Sequence, residues 1–582
     1  MLKTASLRAA AFGLIAALAA CAQGDPGPAG PDEGPGCLVA SLVPGEDLMF
    51  EGSAAVDCIE IPAFESGDRY EIVVSSMART LGFSPMDLRV TPAGAVAAAN
   101  PGSDGPDNQA QPASLDAGLE AAWRTGQYSM DAHLRRLEGP LLPQIRSTAS
   151  TVGAGLFAVP AVGDPVTYGF SCVSAQSFPT APRVVKGIVR HVSDRAVIVE
   201  GLDTSAGFTT AEYEEIGAAF DNVIYDTDVS YFGEPGDIDQ NGGRIVLLYT
   251  SGVNRMSDDY TESFISGFTC PLDLGGSAGN RAEMFYLMVP DPDGEFTDAE
   301  GDGITKRQVR RITDNTVAHE FQHLINAQSG NGGAQDVWLN EGLSHLAEEV
   351  AGHAVNGFEP GTSISSEQLL ATQARIDVFN KYYLNNWYNL SQYLSAPGDT
   401  AALLNSADPL DYNTFRMRGA AWSFLRYLLD RYEDGSEGEA ARVRALIRTS
   451  SSDSRDAITQ VFGEPFERLA TQWSTMLVSS DRSDVDPAEE LQLSSYQVRE
   501  VFGSKIGDAV NPPGGGYPLQ PRRASLTFGE VIDAELFSAT SKYVELLAPV
   551  AGAGTRIELV SPGTGARLDS SVEPRLQILR IR

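Results

Sequence analysis

The spacing of apolar and polar positions changes character several times along this chain, and each change predicts a different element. Ala9 to Ala20 is an unbroken apolar run behind the basic residues Lys3 and Arg8. It falls short of the about 20 residues a membrane-spanning helix needs, so residues 1–20 are expected to be a targeting segment and not part of the fold. Residues 21–36 are rich in Pro and Gly and read as a tether. From Cys37 onward, short alternating runs such as Tyr70-Glu71-Ile72-Val73-Val74 predict a small β domain over 37–97. A linker and a helical stretch from Leu115 to about Arg136 fill residues 98–152, with no evident chemistry.

Strand-like runs return at Val184–Arg190, Ala196–Val199, Ile245–Tyr249 and Met284–Val289, with helical spacing at Thr210–Val223 between them. Beyond Thr305 the apolar period becomes helical. Thr305-Lys306-Arg307-Gln308 has the form of a capping box, and Ser329-Gly330-Asn331-Gly332-Gly333 closes that helix. A second helix opens near Asn340, a third covers about Phe415–Tyr432 and a fourth about Phe466–Leu477. The helical period fades after Asp484, Asn511–Gly516 forms a linker, and alternation resumes in Tyr543–Leu547 and Leu576–Arg580. The expectation is an α+β domain over 153–484, strands first and helices after, flanked by small N-terminal and C-terminal β domains, the latter over 485–582.

The chemistry is concentrated in the first of those helices. His319-Glu320-Phe321-Gln322-His323 places two imidazoles four residues apart on one helix face, where both can reach one zinc ion, with Glu320 beside the water such an ion polarises. A catalytic zinc takes three protein ligands and leaves one position open. The metzincin pattern would continue with Gly and His, but Asn326 and Ser329 stand there. His345 and Asp336 are chemically able third ligands, and Glu341 in Trp338-Leu339-Asn340-Glu341-Gly342 is the best candidate, because a Glu on the following helix is the gluzincin arrangement. Glu320 then serves as general base. Glu348, seven residues past Glu341, is the candidate to hold a ligand imidazole by its second nitrogen. Tyr382, Tyr383, Tyr388 and Tyr412 are candidate transition-state donors, Tyr412 preferred because it sits just ahead of the Phe415 helix. His345 and His353 are otherwise expected to be structural or surface residues.

Charge and cysteines narrow the setting. Acidic residues number 77 against 42 basic, a net −35, which repels nucleic acid and argues against it as a partner. Leu18-Ala19-Ala20-Cys21 resembles a bacterial lipobox, which implies cleavage before Cys21 and a lipid on it. The expected location is then the bacterial cell envelope, the outer membrane in particular, with the lipid as sole anchor. Cys37, Cys58, Cys172 and Cys270 remain, an even number suited to disulfides; three pairings are open, and Cys37–Cys58 with Cys172–Cys270 is favoured. Asp237-Ile238-Asp239-Gln240-Asn241-Gly242 begins like a calcium loop, with Asp237, Asp239 and Asn241 as ligand positions. Its twelfth position is Leu248, so it is no EF-hand, and an ordinary turn is the competing account.

The run His319–Asn326 followed by Trp338–Ser344 resembles the hyicolysin-type bacterial zinc peptidases, as do Phe220–Tyr225, Phe232–Asp239 and Pro290–Gly294. The resemblance spans about Ala196 to Tyr432 and does not reach the β segments. It implies a secreted endopeptidase acting on proteins or peptides, with zinc on His319, His323 and Glu341. The Trp-Leu-Asn-Glu-Gly run is similar to aminopeptidase N-type enzymes too, but their amine-binding Gly-x-Met-Glu-Asn element is replaced here by Asn280-Arg281-Ala282-Glu283-Met284. That favours internal cleavage. A binding protein on an inactivated peptidase scaffold would show decay at His319, Glu320, His323 or Glu341, and none is visible.

Overall fold

The computed structural model describes residues 36–93, 115–151, 159–173, 181–204, 207–275, 279–297, 302–329, 335–400, 402–404, 414–449, 451, 453–511 and 515–582. The targeting run, the tether, Cys21 and Tyr412 lie outside the described residues. Leu38–Arg582 forms one compact body.

Its strands confirm the alternating runs but not their division into two flanking domains. One sheet runs, edge to edge, Leu38–Val39, Ile59–Ile61, Thr555–Val560, Asp87–Pro92 and Glu530–Asp533; the other runs Arg522–Ser525, Thr540–Leu547, Arg69–Ser76, Pro574–Arg580 and Asp47–Glu51. Early and late strands are interleaved within both sheets. Arg69–Ser76 lies between Thr540–Leu547 and Pro574–Arg580, antiparallel to each. The expected N-terminal and C-terminal β domains are therefore one sandwich with one core, built by Ile72, Val74 and Leu88 from early strands and Leu546, Leu559 and Ile578 from late ones. Each segment alone offers too few strands to cover its apolar face, and pairing the two supplies the missing layer.

The region between the two groups of sandwich strands opens with a mixed six-stranded sheet in the order Gly267–Thr269, Met284–Leu287, Ile245–Tyr249, Ala196–Gly201, Val184–Val192, Pro165–Gly169. Ile245–Tyr249 is parallel to both neighbours and buried along its whole length, as a continuous apolar strand in the middle of a covered sheet must be. Cys172 and Cys270, which follow the two edge strands, are joined by a disulfide with Cα atoms 5.7 Å apart. Cys37 and Cys58 are each disulfide-bonded as well.

The helix Lys306–Gln328 packs against the strands Gly267–Thr269 and Met284–Leu287, and Val337–Asn356 packs on that helix. Thr414–Arg431 packs on Val337–Asn356 and Leu384–Ser395 on Thr414–Arg431, while Phe466–Ser479 joins Thr414–Arg431 to the sandwich strands Arg69–Ser76, Thr540–Leu547 and Pro574–Arg580. Trp338, Trp387, Trp422 and Trp473 are all fully buried among them. The helical body also extends past the expected boundary at 484, because Tyr496, Val501, Phe502 and Val510 are buried in its core. The sandwich resumes only at Arg522.

The helix expected from Leu115 to about Arg136 starts there and runs on to Thr151. It runs through Pro140 and Pro143, each of which removes a backbone donor and crowds the preceding turn. Burial of Leu142 and Ile145 holds it in place despite them.

Candidate metal centre

The helix Lys306–Gln328 starts as its sequence dictates. Thr305 Oγ1 accepts from the Gln308 N–H, and Gln308 Oε1 accepts from the Thr305 N–H at 2.9 Å. Its later turns are buried on every side, which is what brings His319 and His323 inside. The helix Val337–Asn356 begins three residues earlier than expected, after Asp336, and ends at Gly357 in the left-handed conformation (φ 67°). Asp336 is tied to Ser454, its backbone N–H donating to Ser454 Oγ and its Oδ2 accepting from the Ser454 N–H. It takes no part in the metal-ligand group.

His319, His323 and Glu341 bring three donor atoms together. The two Nε2 atoms are 3.2 Å apart, and Glu341 Oε2 lies 3.4 Å from that of His319 and 3.7 Å from that of His323. A tetrahedral zinc with bonds of about 2.0–2.2 Å has ligand-to-ligand edges of about 3.3–3.6 Å, so these spacings fit the ion. Glu341 is fully buried with the Arg418 guanidinium as its counter-charge, and its Oε2 faces both imidazole Nε2 atoms, so a metal ion between them would gain a carboxylate ligand already held in its ionised form.

Both imidazoles are held with Nε2 turned inward. His319 Nδ1 donates to Glu348 Oε1 at 2.8 Å, and His323 Nδ1 donates to Asn340 Oδ1 at 3.0 Å. The Asn340 amide is fixed in turn, since its Oδ1 also accepts from Asn326 Nδ2. Such partners set the tautomer and raise ligand basicity. Glu348 therefore stands where it was expected, and His345 is its further support, with Nδ1 3.0 Å from the same Oε1. His319, His345 and Glu348 make a second three-donor group that shares His319. Its Nδ1–carboxylate contacts are the orienting hydrogen bonds of the first.

Glu320 is buried, with Oε2 accepting from the Thr269 N–H at 3.0 Å and Oε1 accepting nothing. Thr269 ends the edge strand Gly267–Thr269, so the sheet aims this carboxylate. Burial, reinforced by the Asp131 carboxylate, pushes Glu320 up to about 8. Burial by itself would push His319 down, but Glu341 and Glu348 outweigh it and raise the imidazole to about 10. His323 goes the other way, to about 3, through burial and the Arg135 guanidinium. Burial opposes ionisation of Glu348, yet His345 and His319 hold it below the usual carboxylate range.

Several charged neighbours escaped the sequence reading. Arg418 Nη1 sits 2.6 Å from Glu341 Oε2, and its Nη2 is 3.0 Å from Asp131 Oδ2. Arg135 Nη1 is 3.3 Å from His323 Nδ1, and its Nε is 3.9 Å from Glu341 Oε1. Asp131 and Arg135 both belong to the helix Leu115–Thr151, some 200 residues upstream of the motif. Only the four-residue spacing of these charges in an otherwise ordinary helix could have flagged them.

The remaining candidates lie elsewhere. Tyr382 and Tyr383 are buried without hydrogen bonds to the centre, and Tyr388 is covered by Arg124, 4.0 Å above its ring. The tyrosine that borders the centre is Tyr128, whose ring carries Arg418 at 3.8 Å. His353 is buried against the Tyr496 hydroxyl. In the acidic loop, Asn241 Nδ2 donates to Asp239 Oδ2 and Asn241 Oδ1 accepts from the Arg244 N–H. Asp239 and Asn241 thus hold each other in a turn that the Asp237 backbone carbonyl closes by accepting from the Gln240 N–H, and the two metal-competent groups among the described residues do not include these three.

Two histidines on one helix and a carboxylate from the next make a three-donor group able to hold a metal ion, with a second carboxylate, Glu320, beside it. Sequence comparison agrees: the chain is 31% identical over 207 residues to the neutral metalloprotease ShpI of Staphylococcus hyicus, a match covering 33% of this chain and 43% of that protein. The chain thus spans less than half the length of this curated relative. No family model matches it.

Proposed function

We propose that this chain is a zinc-dependent endopeptidase of the hyicolysin type, hydrolysing internal bonds of protein or peptide substrates. The observation that carries the reading is the triangle of His319, His323 and Glu341 donors at 3.2–3.7 Å with Glu320 alongside. A zinc ion held by those three residues would supply Lewis acidity, polarising the scissile carbonyl and acidifying water. Glu320 takes the proton of the attacking water and hands it to the leaving amine. The Thr269 N–H keeps that carboxylate oriented while its other oxygen stays free for the proton. Glu348 and Asn340 hold both imidazoles in the tautomer that keeps Nε2 unprotonated.

Internal cleavage is favoured over amino-end trimming by the fate of Glu283. In the aminopeptidase pattern an acid of the corresponding element binds the substrate amine. Here Glu283 is buried, accepting from the Ile238 N–H at 3.0 Å and from Gln328 Nε2. The proposal includes anchoring in the bacterial envelope through Cys21. No helix among the described residues is long and apolar enough to cross a membrane.

The test is digestion of an unbiased peptide library by the zinc-loaded protein beside Glu320→Gln. Internal cuts that vanish in the variant at unchanged zinc content support the reading. Stepwise loss of amino-terminal residues would replace it with an aminopeptidase, and zinc binding without cleavage by either protein would replace it with a binding role.

A further inference from the structure

The helix Leu115–Thr151 lies where a substrate has to go. Among the described residues the edge strand Gly267–Thr269 pairs only with Met284–Leu287. Ser266 O accepts from the Met288 N–H on that paired side. The Gly267 carbonyl and the Thr269 N–H are turned away from that paired side, the first to Gln127 Nε2 and the second to Glu320 Oε2. An extended peptide docking beside Glu320 would pair with this free edge. Gln127 already does so. Its Nε2 donates to the Gly267 carbonyl at 2.8 Å, and its Oε1 accepts from the Ser266 N–H at 3.1 Å.

One turn further along, Asp131 engages Arg418, and one turn beyond that Arg135 faces His323 and Glu341. Arg135 is itself held by Glu138. The same helix face thus meets the strand edge, the guanidinium beside the centre and the metal-competent donors in succession. Beneath it His319, Glu320, His323 and Glu341 are only 5%, 1%, 2% and 0% exposed, too closed for a peptide to enter. The docking is close: a Cβ at Gly126 would stand 2.1 Å from the Phe264 carbonyl oxygen, so any side chain there lifts the helix off the strand.

We propose that the helix Leu115–Thr151 is a built-in pseudosubstrate that keeps the centre latent. Gln127 stands in for substrate backbone on the strand edge, Asp131 occupies Arg418, and Arg135 places a positive charge against the metal-competent donors. Activity requires the helix to leave, by displacement or by cutting of the chain. The apparent activity of the intact protein is then set by the small fraction in which the helix is away. This rests on the peptidase reading above.

The experiment compares the zinc-loaded full chain with Gln127→Ala, with Gly126→Leu and with Asp131→Ala/Arg135→Ala. The readouts are the rate of zinc transfer to an excess of a chromogenic chelator, peptide-library cleavage, and inhibition by a synthetic peptide of residues 115–151. Variants are expected to release zinc and to cleave about tenfold faster than the parent, and the added peptide is expected to reverse both effects. Equal zinc-release rates in all proteins would overturn the proposal whatever the cleavage result. So would loss of cleavage in the folded Gln127→Ala variant, which would make the helix part of the working site. Faster zinc release that the peptide reverses, with no cleavage by any protein, would uphold occlusion and sink the peptidase reading instead.

Discussion

Replacing Glu348 by Gln is the most demanding test of the centre, because the substitution preserves shape and removes only one acceptor. The Glu348 carboxylate accepts from both sides. Oε1 faces His319 Nδ1 at 2.8 Å and His345 Nδ1 at 3.0 Å, while Oε2 faces Asn315 Nδ2 at 3.0 Å and Asn385 Nδ2 at 3.3 Å. A Gln amide offers an acceptor to one pair and two N–H donors to the other. Turned toward the histidines, it sets its NH₂ against two asparagine NH₂ groups. Turned toward the asparagines, it confronts both imidazole N–H groups and drives His319 toward the tautomer with Nε2 protonated, which cannot bind a metal. Loss of such an orienting partner weakens metal affinity about 10- to 100-fold, or about 1.4–2.8 kcal/mol. The assay is competition for zinc against a chelator of known affinity, with circular dichroism to establish that the variant is folded. Zinc binding within about twofold of the parent would refute the argument that Glu348 sets the imidazole tautomer.

Three further outcomes follow from the same geometry. Asn340→Leu removes the acceptor for His323 Nδ1 and should lower zinc affinity about tenfold, read by the same competition, while leaving the His319 side of the centre intact. Cys172→Ser opens a 98-residue loop that joins the two edges of the six-stranded sheet and should cost about 2–5 kcal/mol, seen as a lower Tm under non-reducing conditions; an unchanged Tm would show that the sheet holds without it. Glu71, buried in the sandwich 3.3 Å from Arg482, is pushed up to about 8 by burial despite that arginine. Between its ordinary value of about 4.5 and that value the folded chain binds a proton the unfolded chain lacks, so this residue's contribution to stability falls as pH rises. Glu71→Gln should therefore flatten the decline in denaturant midpoint between pH 5 and pH 8, and identical slopes in variant and parent would contradict the assignment.

What could be read from the chain was local. The i, i+4 histidines, the Thr305–Gln308 box and the Glu341 helix are set by neighbours a few residues apart, and all of them fold as their spacing implies. The strands were legible for the same reason, but their partners were not. Nothing in Tyr70–Val74 records that its neighbours across the sheet are Lys542 to Leu546 and Leu576 to Arg580. Arg418 and Arg135 were invisible because a buried ion pair leaves no periodicity. Each is one charged residue in a helix, indistinguishable in sequence from a solvated one. The acidic loop misled in the opposite sense, since Asp237-x-Asp239-x-Asn241 is as good a turn as it is a cation loop, and only the hydrogen bonds tell them apart.

The interleaved sandwich has a consequence for a cut chain. Arg69–Ser76, encoded before the helix Leu115–Thr151, is gripped on both sides by strands encoded after the entire helical body. A break anywhere between Pro92 and Leu115 would sever the peptide backbone without freeing either piece. Two bands on a denaturing gel would migrate as a single particle in native chromatography, joined by fifteen aligned residue pairs across two strand interfaces where antiparallel hydrogen bonding and a shared apolar core resist separation. Whatever is fastened to the early part of the chain would remain fastened to the body after such a nick.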